Sequence, residues 1–409
     1  MTESAAPASV PGPVAIIGAG PIGLDAALAA HDRGWPFTVY EAATSVAANV
    51  REWGHVRLFT PWDMNVSGRM RAHLERAGVE VPTGQECPTG AELAERLLEP
   101  LAALPEIAAN LRLGVKVESI GREGLLKHEQ IANDVRGATR FRMLLRDHAG
   151  AESIEHASLV LDCSGSFGNP NVLGDGGIPA PGERALSGRI TRTLPAVTAD
   201  GLLAGGTVLL AGAGKSAQTA ARDLAALTEQ QPGTRVVWAV RSDAPDWGVV
   251  PDDVLPERQA LVEVAEQLRQ GANPAVEVRT GVAVEQLAER DGRIVATLRG
   301  ADHSDEVQVD HVVALTGYVP DAAMYRQLQV HECYATAAPI TLSAALLGAD
   351  AGDCLQQESH GVDVLRNPEP HFFILGMKSY GRVSSFLLKI GYQQIDEVAD
   401  SYSAATALV

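Results

Sequence analysis

Two glycine-rich turns, each set between an apolar strand and an apolar helix, restrict this chain to a narrow set of folds. The first, Gly18-Ala19-Gly20-Pro21-Ile22-Gly23, follows Val14-Ala15-Ile16-Ile17. The second, Gly212-Ala213-Gly214-Lys215-Ser216-Ala217, follows Thr207-Val208-Leu209-Leu210-Ala211. Only residues without a Cβ let a strand turn this sharply into a helix whose free N–H groups face an anion. A pyrophosphate held against the backbone is such an anion, so each turn reads as a dinucleotide site. The second turn could be mistaken for an ATPase phosphate loop. That pattern needs glycine five residues before Gly214, and the sequence has Leu209 there.

The strand that follows each turn discriminates between nucleotides. Phe37-Thr38-Val39-Tyr40 ends in Glu41, about 20 residues past the first glycines, where an acid holds the ribose hydroxyls of an adenosine. Its carboxylate would repel a ribose phosphate, so the first site suits FAD or NAD. Val236-Val237-Trp238-Ala239-Val240 ends instead in Arg241, a partner for a 2′-phosphate, and Lys215 beside Ser216 adds positive charge at the turn. The second site therefore favours NADPH. A solvated strand-end side chain is the alternative for both Glu41 and Arg241.

Composition narrows the class of partner. The chain has 409 residues, enough for two or three domains, and is 46% hydrophobic and 21% charged, as ordinary globular proteins are. A net charge of −18 argues against nucleic acid and anionic membranes as partners. Met1–Pro13 lacks the charged and apolar regions of a signal peptide, and no stretch approaches a membrane span, so a cytoplasmic protein is expected. Cys87, Cys163, Cys333 and Cys354 are scattered without a C-x-x-C, and the histidines show no metal-ligand spacing.

A second repeated device accompanies the turns. Ser158-Leu159-Val160-Leu161-Asp162-Cys163-Ser164-Gly165 and Asp310-His311-Val312-Val313-Ala314-Leu315-Thr316-Gly317 are each a buried-looking strand running into Ser/Thr-Gly, then an aromatic and a proline. Gly turn, strands and helices, then strand–[ST]G therefore occurs twice. This doubled pattern resembles the flavoproteins with two dinucleotide-binding domains, which include the flavin-containing and N-hydroxylating monooxygenases and the thioredoxin-reductase-like enzymes. The resemblance implies an α/β fold of two Rossmann-like domains, the NAD(P)H domain inserted within the FAD domain. FAD would occupy residues 1–175 and 325–409, with an insertion at about 45–120, and NADPH about 185–315. Gly174–Gly182 and Tyr318–Arg326 read as the crossings.

The resemblance also implies a reaction. Without a redox cysteine pair, hydride from NADPH would reach FAD and the electrons would pass elsewhere. With O2 as acceptor, a flavin C4a-hydroperoxide hydroxylates a small-molecule heteroatom or carbonyl, and the cofactor carries that chemistry. The monooxygenases usually carry FxGxxxH before the second turn. Here Leu186-Ser187-Gly188-Arg189-Ile190-Thr191-Arg192 keeps only the glycine. A flavin-dependent NAD(P)H dehydrogenase or oxidase is therefore the alternative, and a flavin-binding sensor is a third reading.

Two segments are candidates for lining the flavin. One is Trp53 to Asn65, containing His55, Arg57, Trp62 and Asn65; relatives pass the reactive ring edge here. In the other, Gly376, Lys378 and Arg382 precede a helix expected over Ser384–Ala399, whose N-terminus and nearby lysine would stabilise charge on the reduced ring. Asn65, Arg57 and Lys378 are the candidate catalytic residues, and Gly165 and Gly317 mark the [ST]G turns.

Overall fold

A computed structural model describes residues 12–403 except 132, 251, 252, 254 and 349–358. Most of the tail Met1–Pro13, and Cys354, lie outside the described residues. Two compact units divide the chain: one runs to Asn169 and resumes at Val319, the other spans Pro170–Tyr318. The first change of unit thus precedes Gly174–Gly182, which belongs to the second unit and is no linker. A Cβ on Gly182 would lie 1.8 Å from the Leu287 carbonyl oxygen, and Gly174 bridges to Val284. Its glycines serve close backbone packing.

In the first unit a five-stranded parallel sheet has the order β16-β7-β1-β2-β3. These strands are β1 (Val14–Ile17), β2 (Phe37–Glu41), β3 (Leu111–Leu113), β7 (Leu159–Asp162) and β16 (Phe372–Ile374). β1, β7 and β16 are buried throughout, which is why their sequences run apolar without alternation. A three-stranded antiparallel sheet joins β4 (Val115–Arg122), β5 (Phe141–Asp147) and β6 (Glu152–Ala157). Ser67 caps the helix Gly68–Arg76, and the expected capping box forms between Thr89 and Glu92. The last helix is Leu388–Ser403, four residues later than the sequence suggested. A tight turn through Gly381, held by its N–H on the Lys378 carbonyl, occupies the intervening chain.

The second unit repeats this plan. Its parallel sheet has the order β11-β10-β9-β15-β8, from β8 (Ile190–Thr191), β9 (Thr207–Ala211), β10 (Arg235–Val240), β11 (Val276–Thr280) and β15 (His311–Ala314). Its antiparallel sheet comprises β12 (Ala283–Arg290), β13 (Arg293–Arg299) and β14 (Ser304–Val309). In both units the strand before the Gly turn is central. One neighbour is the strand ending in Glu41 or Arg241, and the other is the strand entering the [ST]G turn. Chain direction diverges to either side of the central strand, which opens a crevice at the carboxyl ends of such sheets.

The helix Pro21–Asp32 covers the first sheet and buries an acid on its outer side. Asp25 accepts a hydrogen bond from Ser67 Oγ at 2.5 Å and pairs with Arg69 at 2.7 Å. Burial pushes its carboxyl up to about 6 against the opposing pull of Arg69 and Ser67. The native state therefore binds more protons than the unfolded chain between about pH 4 and this value, and Asp25's contribution to stability falls as pH rises through that window. Urea denaturation from about pH 4 to about pH 7 will show the wild type losing ground to Asp25→Asn over the lower part of that range. A stability difference independent of pH would mean that Arg69 cancels the effect of burial.

Candidate functional site

The two turns are built on the same plan. Gly18 has φ +98° and its N–H donates to the Tyr40 carbonyl at 2.8 Å; Gly212 has φ +129° and donates to Ala239 at 3.2 Å. A Cβ on Gly18 would lie 2.8 Å from the Cys163 carbonyl oxygen, and one on Gly212 would lie 2.2 Å from that of Leu315. Each glycine therefore lets its turn pass against the start of its own [ST]G segment. The third positions differ. A Cβ on Gly23 would lie 1.8 Å from the Gly18 carbonyl oxygen, whereas the second turn carries the buried Ala217 at that position.

The first turn is open where a dinucleotide needs it to be. A Cβ on Gly20 would meet no atom within 4 Å, so the backbone there faces free space. Glu41 accepts hydrogen bonds from the N–H groups of Ala19 and Ala43, at 2.8 and 2.9 Å, which fixes its carboxylate beside the turn. Each oxygen keeps a lone pair for a hydroxyl donor. Trp53 packs against Gly90 and lies 6.0 Å from the Phe167 ring, just beyond Gly165; its buried indole N–H has no hydrogen-bond partner among the described residues. The residues present therefore fit an adenosine diphosphate with a larger group extending from it.

Gly376 and Lys378 come to the same end of the sheet. A Cβ on Gly376 would press on Ile22 at 3.0 Å, and the Gly376 N–H donates to Gln394 at 2.8 Å. Lys378 is buried and pairs with the fully buried Asp162 at 2.7 Å. It also donates to Ser164 Oγ at 3.1 Å and lies 5.0 Å from the centre of the Tyr325 ring. Ser164 Oγ in turn donates to Asp162 at 2.6 Å. Sequence reasoning missed Asp162, although an acid closing an apolar strand is a signal that a cation must meet it.

The Trp53–Asn65 run is not brought together as a reactive group. His55 is exposed, and Arg57 is exposed with its guanidinium on the Cys87 carbonyl. Trp62 is a core residue, 2% exposed, beneath Arg96. Asn65 spends its amide internally: it accepts from Thr60 Oγ1 at 2.8 Å and donates to the Thr60 and Pro61 carbonyls at 2.8 and 3.0 Å. These contacts shape the short helix Trp62–Asn65 and occupy both amide hydrogens of Asn65. The Arg382 N–H donates to the Thr336 carbonyl at 2.7 Å while its side chain is exposed.

In the second unit Gly214 faces free space as Gly20 does, and Ser216 and Arg241 are exposed. Arg241 forms no ion pair among the described residues. Gly317, at φ +83°, accepts from the Asn171 N–H at 2.9 Å. Lys215 turns away from solvent to the loop after β10. Its ammonium donates to the carbonyls of Trp247 and Gly248 at 2.9 and 3.2 Å and to Gln218 Oε1 at 3.4 Å. Among the described residues no group of three or more His, Cys, Asp or Glu could hold a metal ion, and no helix is long and apolar enough to cross a membrane.

No protein-family model and no curated protein matches the sequence. Solved structures do match in fold. The bacillithiol disulfide reductase of Bacillus cereus superposes with a TM-score of 0.69 at 18% identity, over 96% of this chain and 99% of that one. The ornithine N-hydroxylase of Kutzneria sp. 744, solved with reduced FAD, NADP+ and L-ornithine, gives 0.61 at 16% over 97% and 100%. Thioredoxin reductase of T. acidophilum gives 0.57 at 16% over 96% and 98%. The chain has the fold of the two-dinucleotide-domain flavoproteins. Reductases and hydroxylases share it, so reaction chemistry must be argued from the residues.

Proposed function

We propose that this chain is an FAD-dependent, NADPH-oxidising oxidoreductase that delivers electrons to O2 and hydroxylates a small-molecule heteroatom or carbonyl. The observation that carries the reading is the doubled turn: two glycine turns of the same geometry, one beside an acid and one beside an unpaired-strand-end arginine. In the first unit, Glu41 would take the ribose hydroxyls, and the open backbone at Gly20 would admit the diphosphate to the N-terminus of the helix Pro21–Asp32. The orphaned Trp53 N–H would find an acceptor on the bound group. In the second unit, Arg241 would pair with the 2′-phosphate. FAD supplies the redox chemistry when bound, accepting hydride from NADPH and passing electrons on.

The cysteines support an acceptor other than a disulfide. Among the described residues Cys163 and Cys333 are free thiols. Cys163 adjoins the first turn, but burial and the neighbouring Asp162 push its thiol well above its ordinary value, away from the reactive thiolate. A dehydrogenase or oxidase is the second reading, favoured by Leu186–Arg192, where Ser187–Arg189 forms a short turn without the aromatic and histidine of the monooxygenases.

Denaturing the purified yellow protein will release FAD and no FMN, and Gly20→Tyr will lose the flavin because its ring fills the diphosphate's approach. NADPH will bleach the flavin faster than NADH. Under O2, hydroxylated product forming with NADPH consumption supports the monooxygenase; stoichiometric hydrogen peroxide with every candidate substrate selects the oxidase. A protein that takes up no flavin overturns both.

A further inference from the structure

The loop Ser242–Val250 is held by contacts that are poor partners for a cation. Lys215 is the first residue of the helix Lys215–Gln230, where the helix dipole is already positive. All three of its ammonium hydrogens are occupied, yet every acceptor is a neutral oxygen, and no carboxylate pairs with it among the described residues. Burial and the nearby Arg258 lower its affinity for its proton. Asp253 and Asp246 act on the charge only from beyond bonding distance, and it sits one residue past Gly214, where the turn approaches a phosphate.

The other end of the contact is strained. Trp247 has φ +54°, a left-handed backbone that a bulky residue adopts only when its surroundings force it. It is forced by burial of its side chain, 4% exposed, by stacking 5.0 Å from Trp238, and by its N–H on Glu266 at 3.1 Å. Its carbonyl then serves both Lys215 and Gln218 Nε2, the latter at 3.0 Å. Trp238 itself donates to the Gly212 carbonyl at 2.8 Å, so the stacked pair is bonded directly to the turn.

We propose that Lys215 is a latch that exchanges the carbonyls of Trp247 and Gly248 for the diphosphate of a nucleotide bound at the second turn, releasing the Trp247 loop. Because its three donors are filled, Lys215 can take a phosphate oxygen only by giving up one of these contacts. Hydrogen bonds to an ionised oxygen are roughly twice as strong as those to a neutral carbonyl, so a phosphate is the better acceptor for Lys215. The exchange runs in the direction of binding. Lys215 thus both recognises the diphosphate and positions the loop that borders the adenosine side of the site. The proposal rests on the nucleotide reading of this unit and adds a residue pair that the doubled turn alone does not require.

The test titrates the purified, flavin-containing protein with NADPH, ADP and adenosine, following tryptophan emission and, separately, binding by equilibrium dialysis. ADP and NADPH will change the emission, and adenosine, lacking phosphate, will not. Lys215→Met will weaken ADP binding about tenfold or more, the loss of one charge-assisted hydrogen bond, and will leave adenosine unchanged. Lys215→Arg will retain much of the ADP affinity. Trp247→Phe will bind ADP with near wild-type affinity and lose most of the emission change, which assigns the signal to the loop. Wild-type affinity for ADP in Lys215→Met, or the same emission change with adenosine, overturns the latch. Absence of any ADP or NADPH binding by the wild type is a different failure, because it removes the nucleotide site itself.

Discussion

Replacing Lys378 with methionine will remove about 3–5 kcal/mol of folding stability, because it leaves Asp162 as an unpaired charge in the interior. Asp162 is fully buried, and Lys378, 2.7 Å away, is 2% exposed. Among the described residues, the other groups donating to the carboxylate are the Ser164 hydroxyl and N–H, at 2.6 and 3.1 Å. Those neutral donors cannot replace the ammonium. The companion variant Asp162→Asn/Lys378→Met removes both charges and will recover most of the loss, since a buried ion pair contributes little net stability over neutral groups of similar shape. Urea denaturation of the two single variants and the double variant gives the coupling directly. Losses in the single variants that simply add in the double variant would show that the pair does not matter. The double variant also bears on the flavin: an unaltered midpoint potential confines Lys378 to clamping the Ser164–Gly165 turn against Gly376–Tyr380, and a lowered potential restores it as a charge facing the reduced ring.

Legibility followed the range of the interaction that each residue makes. The turns at Gly18 and Gly212, the acid at Glu41 and the Thr89–Glu92 box are local patterns whose backbone geometry admits few residue types, so they could be read directly. The doubling of the fold was also legible, because each half repeats strand–turn–helix and strand–[ST]G in one order. The partner of Lys378 was not, since Ser164 and Asp162 lie more than 200 residues away and reach it only through the pairing of β7 with β16. The run Trp53–Asn65 misled for another reason. A polar and aromatic stretch without a period does not say which side chains face inward, and Trp62 and Asn65 proved to be internal. Lys215 looked like a phosphate ligand because it adjoins the turn; the loop that takes its ammonium returns 32 residues later.

The same reasoning predicts the second large effect, at a residue that belongs to no sequence motif. Glu369→Gln will destabilise the first unit by about 3–5 kcal/mol, because it strips the counter-charge from two buried guanidiniums. Glu369 is 1% exposed and lies between Arg122 and Arg136, at 4% and 1%. Arg122 Nε donates to it at 2.7 Å, and Arg136 donates through Nε and a terminal nitrogen, at 3.0 and 2.7 Å. The Gln329 N–H adds a fourth donor at 2.7 Å, so an amide at this position would turn its own N–H groups on donors. Arginine does not lose its proton to relieve the charge, and both residues keep only partial compensation among the described residues, from the carbonyls of Thr139 and Pro370 and the Phe141 ring for Arg122 and from those of Leu126 and Glu129 for Arg136. The cluster ties β4 and the helix Asp134–Ala138 to the segment that leads into β16, the strand that delivers Gly376 and Lys378 to the site. Stability loss should therefore be accompanied by faster flavin release from the folded fraction, measured as fluorescence recovery on dilution at a temperature well below the midpoint. A Glu369→Gln protein with wild-type stability would mean that water or backbone carbonyls suffice for both guanidiniums. A variant that is destabilised yet releases flavin at the wild-type rate would separate this cluster from the site that β16 supports.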